Sequence, residues 1–211
     1  MARKKKKRKL TEAEQRRLAE FNETCDNLVA QGYKRTNLTI NLVAANVIAI
    51  AAFAVLGTIC LVLFIQVHPD VDFIIPIPEL VIYIVAFVVL IVAHELVHGL
   101  TWSRFTPNGF ADVDFGIMRD TFTPYCACKM PLPKGQYILG ALMPLIVFGI
   151  IPIMVAFCTG WLGLLYLGIL MTISAAGDVM IVVKNLSHKS TADEVLYYDH
   201  PTEAGSVVFE R

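Results

Sequence analysis

The sequence predicts an all-α membrane protein: four transmembrane helices arranged as two hairpins, with a small cytoplasmic β-ribbon between them. Three observations predict it. The 211-residue chain is 56% hydrophobic, and its mean hydropathy of +0.60 exceeds that of ordinary soluble domains. All eighteen Lys and Arg fall in three blocks, residues 3–35, 104–134 and 184–211, although the formal net charge is zero. Residues 36–103 and 135–183 carry no basic residue, and each stretch has room for two spans of about 20 residues and a turn. The positive-inside rule then puts all three basic blocks, and with them both termini, in the cytoplasm of a multi-pass cell-membrane protein. The expected divisions are residues 1–35, a basic tail and amphipathic helix; 36–189, a four-span domain with a cytoplasmic loop at 104–134; and 190–211, a cytoplasmic tail.

Taken in order, the run Arg3-Lys4-Lys5-Lys6-Lys7-Arg8-Lys9 is a topology determinant that also touches anionic lipid. A span beginning some thirty residues later argues against a nucleic-acid role. No cleavable signal peptide is evident, because residues 11–35 are too polar for its apolar region. Thr11 and Glu14 form a capping box, Leu18, Phe21, Cys25 and Leu28 follow at helical spacing, and Gly32 marks a stop. This amphipathic helix lies on the bilayer, packs on the cytoplasmic loop, or is a plain spacer.

The first hairpin pairs residues 38–65 with 79–103, across a connection holding Pro69, Asp70, Asp72, Pro76 and Pro78. In the loop, residues 110–117 alternate apolar and polar side chains as a strand does, and 122–130 form a return strand broken by Pro124. The resulting ribbon either accepts an extended substrate by edge pairing or acts as a lid. The second hairpin pairs 136–157 with 161–183 and turns at Thr159-Gly160, with Pro144 and Pro152 kinking its first helix. The tail ends in Val207-Val208-Phe209, one more short strand. The five cysteines are scattered. Cys126 and Cys128 read as two free thiols in a reducing compartment, since no second pair completes a four-ligand metal site.

The chemistry lies in His94-Glu95-Leu96-Val97-His98, inside an apolar run. Positions i and i+4 share a helix face, so both imidazoles reach one metal ion, with Glu95 beside them to take a proton from water. Ionisable side chains at membrane depth are costly and usually functional. Catalytic zinc needs a third protein ligand and an open position. At 1.5 Å per residue, His94 lies roughly 14 Å inside the cytoplasmic end of its span and His98 roughly 8 Å. Asp178 lies roughly 8–9 Å inside the end of the fourth span, which runs the same way. It is the only acidic residue in the second hairpin, with Ala175, Ala176 and Gly177 allowing close helix approach. Asp178 is thus the expected third ligand, a hydrogen-bonded structural role being the alternative. Depth excludes Glu79, and His68, His188 and His200 fall outside the spans. Asn46, in the first span, either orients substrate and stabilises an oxyanion or makes an interhelical hydrogen bond.

His94-Glu95-Leu96-Val97-His98-Gly99, Thr123-Pro124-Tyr125-Cys126, Ala176-Gly177-Asp178 and Asp199-His200-Pro201-Thr202 resemble a bacterial family described as putative zincin peptidases. The resemblance covers roughly residues 75–211. The architecture is also similar to site-2 intramembrane proteases, although their Asn-Pro and Leu-Asp-Gly pattern is replaced here by Ala176-Gly177-Asp178-Val179. What this implies is cleavage of a membrane-associated peptide bond near the cytoplasmic face.

The expected function is a membrane-embedded zinc metallopeptidase, with Zn²⁺ on His94, His98 and Asp178 and with Glu95 as general base and acid. The ligand set also suits Fe(II). The expected partners are the lipid bilayer and a peptide or membrane-protein substrate, with no nucleic acid. The enzyme alternative is a membrane-anchored peptidase acting on cytosolic segments; the non-enzyme alternative is a metal-binding scaffold or sensor. A metal transporter ranks last, because the outer halves of the spans offer few polar residues.

Overall fold

The computed structural model describes residues 11–118 and 123–211. The basic run at Arg3–Lys9 and the start of the return strand at Phe122 lie outside the described residues, as does the side chain of Asn46.

The chain opens with helix α1 (Glu12–Ala30). Thr11 and Glu14 cap it reciprocally, at 2.8 Å from the Thr11 amide to the Glu14 carboxylate and 3.3 Å in return. Gly32, at φ +93°, turns the chain into strand β1 (Lys34–Thr39). Helices α2 (Leu42–Val67) and α3 (Ile77–Trp102) follow, then the ribbon β2 (Val113–Met118) and β3 (Thr123–Cys128) and the short β4 (Leu132–Pro133). Residues 134–159 form one long apolar helix in three parts: α4 (Lys134–Pro144), a π-helical turn at Leu145–Ile150, and α5 (Ile151–Thr159). After Gly160, at φ +72°, come α6 (Leu162–Ser174), α7 (Ala176–Ser187), β5 (Val195–Asp199) and β6 (Gly205–Glu210).

The all-α expectation is overturned. The strands β1, β6, β5 and β4 form an antiparallel sheet in that order, beside the two-stranded β2–β3 sheet. Residues 34–39, read as leading into the first span, pair with 205–210 along their whole length, from Lys34 opposite Glu210 to Thr39 opposite Gly205. Leu38 therefore enters a protein core with Tyr197 and Val208 instead of lipid. The apolar face of α1 covers the other side of the sheet, where Phe21 and Cys25 meet Tyr198, Val207 and Phe209. Helix α1 thus packs on the sheet, a place the sequence reading did not name, and it touches the loop where Arg17 meets Asp114 at 3.1 Å.

The two-hairpin arrangement of four spans is corrected as well. Among the described residues, three helices are long and apolar enough to cross a membrane: Ile50–Val67 within α2, Ile77–Trp102 and Lys134–Thr159. The fourth stretch is the pair α6 and α7, bent by 47° at Ala175. The second hairpin forms, since α5 packs on α6. The first does not close on itself: α2 packs on α6 and α7, and α3 on α4 and α6. Between α2 and α3 lies an apolar groove of about 460 Å³ that includes Ala54, Gly57, Leu80 and Phe87. Residues 69–76 allow this separation, because they form a helix-free connection too long for a tight turn. The outward faces of α2 and α3 expose Val55, Ile59, Val85 and Val89, which suits a lipid surround. Pro144 and Pro152 flank the π-helical turn without a sharp bend, and a π-turn absorbs the backbone pairing that proline removes.

Candidate metal centre

His94, Glu95 and His98 occupy the last turns of α3, and Asp178 the first turn of α7. The break at Ala175 starts that turn: the Ala175 amide still bonds the Met171 carbonyl, and the helix begins again with the Val179 amide on the Ala175 carbonyl. The 47° change of direction brings the Asp178 carboxylate to α3.

His94 Nε2 lies 3.1 Å from Asp178 Oδ2 and 3.2 Å from His98 Nε2. The third side of the triangle, His98 Nε2 to Asp178 Oδ2, is 3.5 Å. His94 and His98 are 5% and 3% exposed, whereas the Asp178 side chain keeps 26%, so the cluster opens on the aspartate side. His98 Nδ1 donates to the Gly140 carbonyl at 2.8 Å, so in the neutral ring Nε2 is the lone pair that faces the carboxylate oxygen, as a metal ligand requires. Two acceptors so close call for a proton or a metal ion between them. His94 Nδ1 is buried without a hydrogen-bond partner.

The geometry passes a simple test for zinc. Bonds of about 2.0–2.1 Å in tetrahedral coordination put neighbouring donor atoms roughly 3.3 Å apart, and the three separations straddle that value. Among the described residues, these three form the group able to hold a metal ion.

The wall behind the cluster is tightly built. The Trp102 indole stacks on His98 at 5.1 Å and 14°, and its Nε1 donates to the Tyr137 carbonyl at 3.2 Å. A Cβ on Gly140 would run into that indole nitrogen, so this glycine is what lets α3 and α4 approach. The sequence reading gave that role to Gly177, where an added Cβ meets nothing within 4 Å. Gly140→Ala is expected to destabilise the fold by about 1–3 kcal/mol through overpacking and to disturb His98. Denaturation midpoint and zinc affinity should fall together, and a variant of wild-type stability would contradict the packing account.

Opposite this wall, strand β3 packs on α3. The Cys126 backbone amide faces the Glu95 carboxylate, and the Cys128 amide donates to Asp199 Oδ2 at 2.8 Å. The other oxygen of Asp199 accepts from the Tyr137 hydroxyl. Burial raises the Asp199 carboxyl to about 6 and the Cys128 thiol to about 12, and it raises the Cys126 thiol further. Both cysteines are free, and neutral thiols are poor metal ligands.

Of the residues singled out from sequence, His94, Glu95, His98 and Asp178 come together. The other histidines stand apart: His68 donates to the Phe157 carbonyl at 2.8 Å, and His188 meets Glu210 at 3.0 Å. Glu79 accepts from Tyr83 in the first turns of α3, at the far end of the helix from the cluster. Sequence reasoning missed Trp102, Tyr137, Gly140 and Asp199. Trp102 stands one helical turn beyond His98, a spacing that could have flagged it; Asp199 was noticed only within the quoted Asp-His-Pro-Thr tail.

A family profile described as "putative zincin peptidase" matches residues 87–192, half of the chain. The match includes His94, Glu95, His98 and Asp178 and ends before Asp199. No curated protein and no solved structure matches the chain, so the similarity to site-2 proteases has no structural match behind it.

Proposed function

The chain belongs to the putative zincin peptidase family, and from that premise we propose a membrane-embedded zinc metallopeptidase that hydrolyses peptide bonds near the cytoplasmic face. One observation carries the reading: two imidazole nitrogens and a carboxylate oxygen converge within 3.5 Å, and the residue after His94 carries a second carboxylate. His94, His98 and Asp178 are the residues that would hold zinc. A zinc ion bound there supplies Lewis acidity toward a scissile carbonyl and a more acidic water. Glu95 takes the proton from the attacking water and passes it to the departing amine, and the Cys126 amide fixes its carboxylate for that work.

The site's place on the apolar helices supports membrane embedding. The cationic residues around it, including Lys129, Lys134 and Lys184, support a cytoplasmic face and cytoplasmic termini. The ribbon reads better as a lid than as a pairing edge. Along β3 the positions facing away from β2 are Pro124, Cys126 and Cys128. Proline has no amide hydrogen, the Cys128 amide is taken by Asp199, and the Cys126 amide faces Glu95. An extended substrate would find acceptors there but no free donors.

The test is cleavage by the purified full chain in detergent, with a transmembrane substrate and a soluble peptide compared. Cleavage of the transmembrane substrate should be lost on treatment with a strong zinc chelator and return with added zinc. Chelator-resistant cleavage would refute a metallopeptidase. A preference for the soluble peptide would move the activity to cytosolic segments.

A further inference from the structure

We propose that Asp199 is the positioning residue for Glu95, holding β3 in the register that keeps the Cys126 amide on the base. The inference rests on the metallopeptidase reading for its catalytic consequence but not for its geometry.

A two-stranded ribbon is marginal alone and needs outside anchors. Here the anchors differ in where they act. Arg17 of α1 meets Asp114 at 3.1 Å and lies over the Tyr125 ring at 4.7 Å, which holds the ribbon's outer surface. The Asp199 carboxylate instead grips the strand's backbone, through the Cys128 amide. Amides along one edge of a strand recur every second residue, so the next outward amide is that of Cys126, about 7 Å along. That amide faces the Glu95 carboxylate, on the strand edge that packs against α3. A slip of one residue would turn both amides toward β2 and leave the base without its donor.

The same carboxylate also accepts from Tyr137. Tyr137 lies against Trp102 at 5.8 Å, and Trp102 stacks on His98. Asp199 therefore refers the strand that orients the base to the wall that backs a candidate ligand. Its place on β5, in the paired C-terminal sheet, makes that reference rigid. The role explains why an acidic side chain sits away from the metal cluster with both oxygens engaged.

Two readouts on the full-length, zinc-loaded protein test this. The first is residue-resolved amide hydrogen exchange by NMR, which needs no peptidase activity. Asp199→Ala should speed exchange at both Cys128 and Cys126 by about tenfold or more. Asp199→Asn, whose amide oxygen can still accept from Cys128, should leave both protected. Glu95→Ala should free Cys126 alone. If the alanine variant does not fold, Asp199→Leu, of similar size and without an acceptor, serves in its place. A Cys126 amide that stays protected once Cys128 is freed overturns the proposal.

The second readout is kinetic. Asp199→Ala should lower kcat on the order of 10²-fold, as a misplaced catalytic group does, with KM within about twofold and zinc retained, and Asp199→Asn should restore most of the loss. Wild-type kcat in Asp199→Ala, or an Asp199→Asn as impaired as the alanine variant, overturns it. A wild-type protein that cleaves nothing would sink the peptidase reading, while the exchange data would still decide the position of β3.

Discussion

Replacing Glu95 with glutamine is expected to lower peptide cleavage by about 10²–10⁴-fold, the contribution typical of general acid–base catalysis, while zinc stays near one ion per chain. The substitution is close to isosteric, and the new side-chain amide oxygen can still accept from the Cys126 backbone amide that holds Glu95. What it removes is the ability to take a proton and give it back. The metal-holding atoms belong to other residues, so binding should be untouched. Single-turnover kinetics beside elemental analysis would check this, and a variant that cleaves at the wild-type rate would rule out Glu95 as the base. A variant that loses zinc would make Glu95 part of the metal's own shell.

Asp178→Ala is expected to weaken zinc binding by at least about 100-fold, more than loss of an outer-shell partner costs, and to abolish cleavage with it. Two histidines remain in that variant, and two protein ligands do not hold catalytic zinc. His94 Nε2 would also lose the oxygen now 3.1 Å away, leaving two lone-pair donors facing each other in a buried space. A ligand that binds only the folded state raises stability in proportion to its occupancy. Zinc should therefore raise the melting temperature of the wild type and do little for Asp178→Ala. An equal rise in both proteins would separate Asp178 from the metal and leave it a structural role.

The cluster was legible because its parts obey local rules. His94 and His98 share a face through helical periodicity alone, and Asp178 could be matched to them by counting rise along two spans. The ribbon was legible from alternation in residues 110–117, and the second hairpin from the Thr159-Gly160 turn. The central sheet was not, because its pairing joins opposite ends of the chain. Lys34-Arg35-Thr36-Asn37 carries too much charge to read as a core strand, and only β6 beside it reveals that Leu38 is buried. Val195-Leu196-Tyr197-Tyr198 had the β-branched and aromatic content of a strand, but the polar residues before it masked the signal.

The separation of α2 from α3 was also hidden, since adjacent apolar runs read as a hairpin whether or not the helices touch. The break at Ala175 left no proline to announce it. Asp199 was the most instructive omission: it stood in a quoted motif without a role, because its partners Tyr137 and Cys128 lie far away in sequence.

X-ray absorption spectroscopy of the zinc-loaded protein tests the central claim most directly. The account predicts a first shell of nitrogen and oxygen at about 2.0–2.2 Å, with two imidazoles and no sulfur. The signature of His94 and His98 should persist in Glu95→Gln, and the shell should collapse in Asp178→Ala. A sulfur scatterer at about 2.3 Å would place the ion on cysteine and contradict the account, as would a shell with a single imidazole.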